Sequence, residues 1–174
     1  GEVDYLFMLA DSWSMADQYG AKAALCDAIM AVPADSSVAV LTQTFADFSQ
    51  SYWGNICNQG FYNTKALADP ARWDVNGRSW RYQTCKQVGW FNVAPKQGSI
   101  RSSRITLQYH LDQCEEMFGM PMYPDTEALQ KQFGGNQPGP NLHNVFYSDF
   151  SDDPWRTVSV QYPPAVDQPY AIAY

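Results

Sequence analysis

Residues 144–155 read Asn-Val-Phe-Tyr-Ser-Asp-Phe-Ser-Asp-Asp-Pro-Trp, an apolar and aromatic run that leads into an acidic turn. Residues 144–148 are typical of a buried β-strand, and Pro154-Trp155 is typical of the start of a short helix or loop. Catalytic carboxylates in α/β proteins often follow a strand, because the strand fixes the backbone while the next loop exposes the side chain. The candidates for that role here are Asp149, Asp152 and Asp153. The alternative interpretation is an acidic, solvated turn without chemistry.

The residues on either side of this stretch add a second strand and several helices. Residues 170–174, Tyr-Ala-Ile-Ala-Tyr, indicate a further strand. Upstream, apolar residues recur at helical spacing in residues 105–118, where Gly119 is the stop signal. Residues 125–133 form a shorter helical segment that ends at Gly134-Gly135.

The first fifty residues predict helices and no strand. Apolar residues follow the helical period over residues 2–30, and Gly20 divides that run into two helices. Pro33 ends the second, and Asp35-Ser36-Ser37 offers an N-cap for a third helix that reaches about Gln50.

Two middle segments carry weaker patterns. Residues 52–79 are rich in Gly, Asn and large aromatic side chains, which predicts a loop held in place by its aromatics. Residues 80–93 are rich in aromatic and β-branched residues, and their pattern fits either a strand or a short helix.

Composition excludes several classes of protein. The 174 residues contain 18 Asp plus Glu against 11 Lys plus Arg, a net charge of −7, so a nucleic-acid backbone or an anionic membrane is a poor partner. No apolar run approaches the roughly 20 residues of a membrane span, and the N-terminal residues lack the pattern of a signal peptide. Four separated cysteines without a Cys-x-x-Cys pair make a zinc or thioredoxin-type site a poor interpretation. They leave two disulfides or four buried thiols, of which we favour disulfides.

Several sequence blocks follow one another along the chain. They are Gln18-Tyr19-Gly20 followed by Cys26, Trp80-Arg-Tyr-Gln-Thr-Cys85, Cys114-x-x-x-Phe118-Gly119, Phe133-Gly134-Gly135, and Asn144-Val-Phe-Tyr-Ser148 running on to Asp153-Pro154-Trp155. Taken in this order, they resemble the prolyl carboxypeptidase and dipeptidyl peptidase II family of serine peptidases. The resemblance covers most of the chain and is weakest over residues 52–79.

The resemblance implies an α/β fold, namely an α/β-hydrolase core with an inserted helical cap. Residues 1–79 are then the cap region, and residues 80–174 are the C-terminal part of the core. The family cleaves small peptides next to proline with a Ser-Asp-His triad, and needs no metal or cofactor. It is secreted or lysosomal or vacuolar, which suits the sequence pI of about 4.6 and the expected disulfides.

The same resemblance assigns roles to particular residues. Asp153 takes the place of the triad acid, which holds the catalytic imidazole in the correct tautomer. Trp155 and Trp90 line the apolar pocket for the proline ring of the peptide substrate. Cys85 is implied to pair with Cys114. The other tryptophans, including Trp80, are interpreted as packing residues, and Asp149 and Asp152 as bystanders.

Departures from the family pattern limit what this chain does by itself. A Gly-x-Ser-x-Gly block is absent, and His110 and His143 both precede Asp153, whereas the family's histidine follows it. The nucleophile and the histidine are therefore expected from the remainder of the same enzyme, and the chain alone is expected to be inactive. Asp149-Phe150 replaces the usual Asn-Gly, and Gln87 replaces the usual Glu. The resemblance leaves room for a homodimer. The alternative is a non-catalytic binding or structural protein that keeps the scaffold.

Overall fold

A computed structural model describes residues 1–55, 60–72, 76–136 and 144–160, together with the backbone of residues 170–173. These residues are mostly helical. The α-helices are α1 (Glu2–Gln18), α2 (Lys22–Met30), α3 (Val38–Trp53), α4 (Thr64–Ala68), α5 (Asn76–Gln83), α6 (Leu107–Phe118) and α7 (Thr126–Phe133), and the strands are β1 (Tyr147–Phe150) and β2 (Tyr170–Ala173). Within these ranges, none of the helices combines the length and apolar composition that a membrane span needs.

The predicted N-terminal helices are confirmed. Gly20 separates α1 from α2 with a φ of 78°, a backbone conformation that glycine adopts without strain. Ser37 begins α3, because its hydroxyl accepts a hydrogen bond from the backbone N–H of Val40 at 3.4 Å. The three helices pack around a common buried cluster that consists of Ala16, Ala21, Leu25, Phe45 and Phe48.

The middle of the chain is more helical than its sequence predicts. A loop is predicted over residues 52–79, but the structure has helix α4 and the first residues of α5 in that range. Helix α5 also runs across the domain boundary expected between residues 79 and 80. The strand alternative for residues 80–93 is wrong, because α5 continues into a π-helical turn, Thr84–Val88. Asn63 caps α4 by accepting from the backbone N–H of Ala66, a local signal that the aromatic composition concealed.

Two glycines end the helices that follow, as predicted. Gly119 after α6 and Gly134 after α7 both adopt the left-handed conformation, and the N–H of each bonds back to a carbonyl four residues earlier.

A buried carboxylate joins α1 to α4 and α6. Asp4 Oδ1 accepts hydrogen bonds from Thr64 Oγ1 at 2.8 Å, Tyr109 Oη at 2.8 Å and Gln113 Nε2 at 3.1 Å. Phe7, one turn further along α1, packs with Tyr62 and Ile105. The first helix therefore belongs to the N-terminal helical cluster and also to the core that contains α6.

The disulfide implied by the resemblance is present in the structure. Cys85 and Cys114 are bonded, with their Cα atoms 5.7 Å apart, and both are almost fully buried beside Leu67, Met117 and Met122. Cys26 is exposed and forms no disulfide with the cysteines that the structure describes, and Cys57 lies outside the described residues.

The two strands pair in parallel, with Tyr147 opposite Tyr170 and Phe150 opposite Ala173. The strand expected at residues 144–148 begins and ends later, so Asp149 lies within β1 and not in a turn after it. The expectation that this strand is buried is wrong for the described residues. Phe146 and Phe150 are 63% and 61% exposed, and only Asp149 within β1 is buried.

Candidate active site

A cleft of about 660 Å³ lies between the C-terminal half of α1, the middle of α5, and β1 with the segment that follows it. Its walls bring together residues that are far apart in sequence. They include Asp11, Gln18, Trp80, Trp90, Asp153 and Trp155. Three of the residues singled out from the sequence, Asp153, Trp90 and Trp155, therefore line one cleft.

Asp153 is the N-cap residue of a short 3-10 helix, Pro154–Val158. Its Oδ1 atom accepts a hydrogen bond from the backbone N–H of Trp155 at 2.8 Å, and its own N–H donates to the carbonyl oxygen of Phe150 at 3.1 Å. The side chain is half-buried. One carboxylate oxygen thus fixes the local backbone, while the residue still faces the cleft.

Three indole rings form a triangle beside Asp153. The ring centroids of Trp80 and Trp90 are 6.2 Å apart, those of Trp80 and Trp155 6.2 Å, and those of Trp90 and Trp155 6.1 Å. Trp90 has a φ of 40°, a left-handed conformation that costs a non-glycine residue about 1–3 kcal/mol. A strained, 42% exposed tryptophan beside a cleft is more typical of a binding surface than of simple packing.

The other two aspartates of the acidic stretch have different surroundings. Asp149 is buried and accepts a hydrogen bond from the hydroxyl of Ser159, which lies 2.7 Å from both carboxylate oxygens, and it also lines the cleft. Asp152 lies at the surface, where Lys22 Nζ is 2.8 Å from its Oδ2 atom and lowers its pKa by hydrogen bonding and by charge.

A further carboxylate faces the cleft from α1. Burial raises the pKa of Asp11, and this effect is opposed by the hydrogen bond that Tyr62 Oη donates to Oδ2 at 2.7 Å and by the positive charge of Arg81. Burial and the neighbouring negative charge of Asp11 raise the pKa of the Tyr62 hydroxyl, so this pair keeps its proton on the tyrosine.

His110 belongs to the core and has no place in the cleft. Its ring stacks on Phe91 with centroids 5.2 Å apart and meets the edge of Phe7 at 5.2 Å. Burial, together with the charge of Arg81, lowers its pKa to about 4, so the ring is neutral at physiological pH. His143 lies outside the described residues.

Sequence reasoning missed several residues of the cleft. Trp80 was interpreted as packing, and nothing in its spacing to Trp155 predicts that the two rings meet. Asp11 carries a detectable signal, since it lies seven residues after Asp4, and both carboxylates interrupt the same apolar face of α1. Gln18 belongs to a block that was quoted for resemblance alone.

Comparison with known proteins identifies one protein family and several relatives, whose names describe serine carboxypeptidases or serine proteases. The model of the serine carboxypeptidase S28 family matches residues 7–172. The chain is 33% identical over 168 residues to a protein of Arabidopsis thaliana named probable serine protease EDA2, an alignment that covers 92% of this chain and 32% of the relative. It is 30% identical over 95 residues to the thymus-specific serine protease of Homo sapiens, with coverage of 53% and 18%.

The chain therefore spans about a third of the length of the Arabidopsis relative and less than a fifth of the human one. No solved structure shows significant similarity to it.

Proposed function

Because this chain belongs to the serine carboxypeptidase S28 family, we propose that it supplies the acid of a Ser-Asp-His triad in a serine exopeptidase. That enzyme cleaves small peptides next to proline, and this chain also forms part of its substrate pocket. The observation that carries the proposal is that Asp153 and Trp155, on one loop after the first of two parallel strands, line the same cleft.

Asp153 is the proposed triad acid. Its role is to hold the catalytic imidazole in the tautomer that accepts the serine proton, and to stabilise the imidazolium that forms. Its geometry supports this role, because Oδ1 is engaged by the Trp155 N–H, and no hydrogen bond joins Oδ2 to the residues that the structure describes. The serine and the histidine come from the remainder of the same enzyme, so the chain alone is proposed to be inactive.

The tryptophan triangle is the proposed wall of the proline pocket. A flat indole buries the apolar face of a pyrrolidine ring without losing many rotamers of its own. Trp155 and Trp90 were assigned to this pocket by resemblance, and the contacts of Trp80 with both rings support adding it.

The proposed architecture follows from family membership. Residues 1–79 form a helical cap, and residues 80–174 form the C-terminal part of an α/β-hydrolase core, in which β1 and β2 are two strands of a larger parallel sheet. The outward-facing Phe146 and Phe150 support the continuation of packing beyond these strands. The buried disulfide suits a secreted, lysosomal or vacuolar compartment.

The test is Asp153→Asn in the complete polypeptide that carries this chain. We expect kcat on proline-containing peptides to fall by a factor on the order of 10⁴, because an amide favours the wrong histidine tautomer. The free energy of unfolding should stay within about 0.5 kcal/mol, since the amide oxygen still accepts from Trp155 N–H. The control is Asp47→Asn on the exposed surface of α3, which should leave kcat unchanged.

Retention of wild-type kcat by Asp153→Asn would refute the assignment. A complete polypeptide that binds proline peptides and hydrolyses none would favour the non-catalytic scaffold.

A further inference from the structure

The turn between α1 and α2 makes two contacts with the loop that carries Asp153. Trp155 Nε1 donates a hydrogen bond to Gln18 Oε1 at 3.3 Å, and Lys22 Nζ pairs with Asp152 Oδ2 at 2.8 Å. One contact lies immediately before Asp153 and the other lies two residues after it. The loop is therefore bracketed by two polar contacts from five consecutive residues of the helical region.

This turn is itself anchored in the N-terminal helical cluster. Ala21 is 3% exposed in that cluster, and the ring of Tyr19 meets Trp53 edge-on with centroids 6.1 Å apart. Gly20, with its positive φ, lets the chain reverse between these two anchors. Gln18 and Lys22 consequently project from a fixed support, which is the condition for orienting another side chain.

The contact with Gln18 engages the one polar atom of the Trp155 side chain. The indole ring is already restrained on one side by Trp80 and Trp90. A hydrogen bond to Nε1 selects one of the two roughly equivalent ring flips at χ2, and so decides which edge of the indole faces the cleft. The Lys22–Asp152 pair restrains the loop from the solvent side, and salt screens it because both groups are exposed.

We infer that the segment from Gln18 to Lys22 is a positioning element for substrate recognition, in which Gln18 sets the orientation of Trp155 and Lys22 holds the loop of Asp153. This inference rests on the proposed function, and it adds residues of the helical region to the determinants of proline selectivity. Neither residue takes part in bond breaking. The effect of Gln18 belongs mainly to KM, because it orients a pocket residue, whereas the effect of Lys22 on the Asp153 loop is read in kcat/KM.

The experiment compares Gln18→Leu with Gln18→Glu in the complete polypeptide, using matched peptide substrates that carry proline or alanine at the cleavage position. Gln18→Leu removes the acceptor, and we expect KM for the proline peptide to rise about threefold to tenfold while kcat changes less than about twofold. KM for the alanine peptide should change less, because that side chain does not use the indole face. Gln18→Glu keeps an acceptor oxygen and should restore proline selectivity.

The matched control is Gln43→Leu, which removes another exposed, hydrogen-bonded glutamine, on α3 and away from the cleft. It should leave both KM values unchanged.

A second experiment reverses the ion pair. Lys22→Glu should lower kcat/KM on the proline peptide about twofold to fivefold at low salt, and the double variant Lys22→Glu/Asp152→Lys should restore it. Lys65→Glu, on α4, is the charge control.

The outcomes separate the two claims. If wild type hydrolyses the proline peptide and Gln18→Leu behaves like Gln43→Leu, the inference is overturned and the proposed function stands. Equal KM increases for both peptides, or a lowered Tm that Gln18→Glu does not recover, would show a merely structural role and also overturn it. If wild type hydrolyses neither peptide, the proposed function fails and the inference fails with it.

Discussion

The helical part of the molecule and the segment around β1 differ in how completely they bury large apolar side chains. The described residues up to 136 bury Ile105, Leu67 and the disulfide cysteines to less than 2% exposure, whereas the segment around β1 presents Phe146 and Phe150 to solvent. The cleft lies where these two regions meet, with Asp153 from one and Trp80 from the other. Substitutions in the helical region should therefore act on stability, and those at the border on recognition and catalysis.

The first prediction tests the helical side of this comparison with a large expected effect. Removing the buried disulfide with Cys85→Ser/Cys114→Ser should lower the free energy of unfolding by about 3–4 kcal/mol, because the bond closes a segment with a sequence separation of 29. Urea denaturation of the complete polypeptide measures it. Cys26→Ser is the control, since that cysteine is exposed, and it should cost less than about 0.5 kcal/mol. Equal effects of the two changes would contradict the assigned role of the disulfide.

The contrast between the regions also explains how much of the fold the sequence predicts. The first three helices, α6 and α7 are set by local signals, namely the apolar period, the Ser37 cap and the glycine stops, so they were predicted closely. Helix α4 has the Asn63 cap as a local signal, but tertiary contacts also hold it and α5, such as the bonds of Thr64 to Asp4 and of Arg78 to the carbonyl oxygen of Met117, and composition does not encode these contacts. The exposure of β1 depends on which elements pack against it, and the local sequence pattern does not encode those contacts either.

The residues of the candidate site show the same contrast between local sequence signals and tertiary contacts. Asp153 and Trp155 lie in one contiguous sequence block, and the same family resemblance implies Trp90, so these three residues are predicted without any knowledge of the fold. Trp80 and Gln18 also lie in quoted blocks, but their sequence gives them no role in the cleft. Trp80 and Gln18 contribute to the cleft through contacts that span many residues, and Gln18 lies 137 residues before Trp155. Periodicity describes one helix at a time, so it carries no information on such pairs.

A second prediction concerns pH and the core histidine. The folded-state pKa of His110, about 4, lies below its unfolded value of 6.5, so the unfolded chain binds the proton first. Its contribution to stability is complete above pH 6.5 and is lost as the pH falls toward 4, by up to about 3 kcal/mol. The measurement is the free energy of unfolding of wild type and His110→Gln between pH 7 and 4. Because His110→Gln removes this titration, the free energy of unfolding of the variant should fall less steeply than that of wild type as the pH decreases. Parallel curves of unfolding free energy against pH for the two proteins would contradict this account.

A third prediction tests whether one residue of the helical region acts on recognition. Trp80→Leu should raise KM for a proline peptide about threefold to tenfold, because it removes two ring contacts from the triangle. Trp13→Leu is the matched control, since Trp13 stacks on Phe45 with centroids 4.9 Å apart, inside the helical region. It should lower Tm without changing KM. The reverse pattern would place Trp80 in the core and remove it from the pocket.

The smallest expected effect is on the strand side. Phe150 lies on the outward face of β1 and is 61% exposed, so Phe150→Ser in the 174-residue chain should change the free energy of unfolding by less than about 0.5 kcal/mol. Phe48→Ser, in the buried cluster of the helical region, should cost about 3–5 kcal/mol by the same measurement. In the complete polypeptide other elements of the proposed hydrolase core pack on this face of the sheet, so there Phe150→Ser should cost several-fold more than in the chain alone. A small cost in both forms would leave this face of β1 exposed to solvent and would argue against the proposed core.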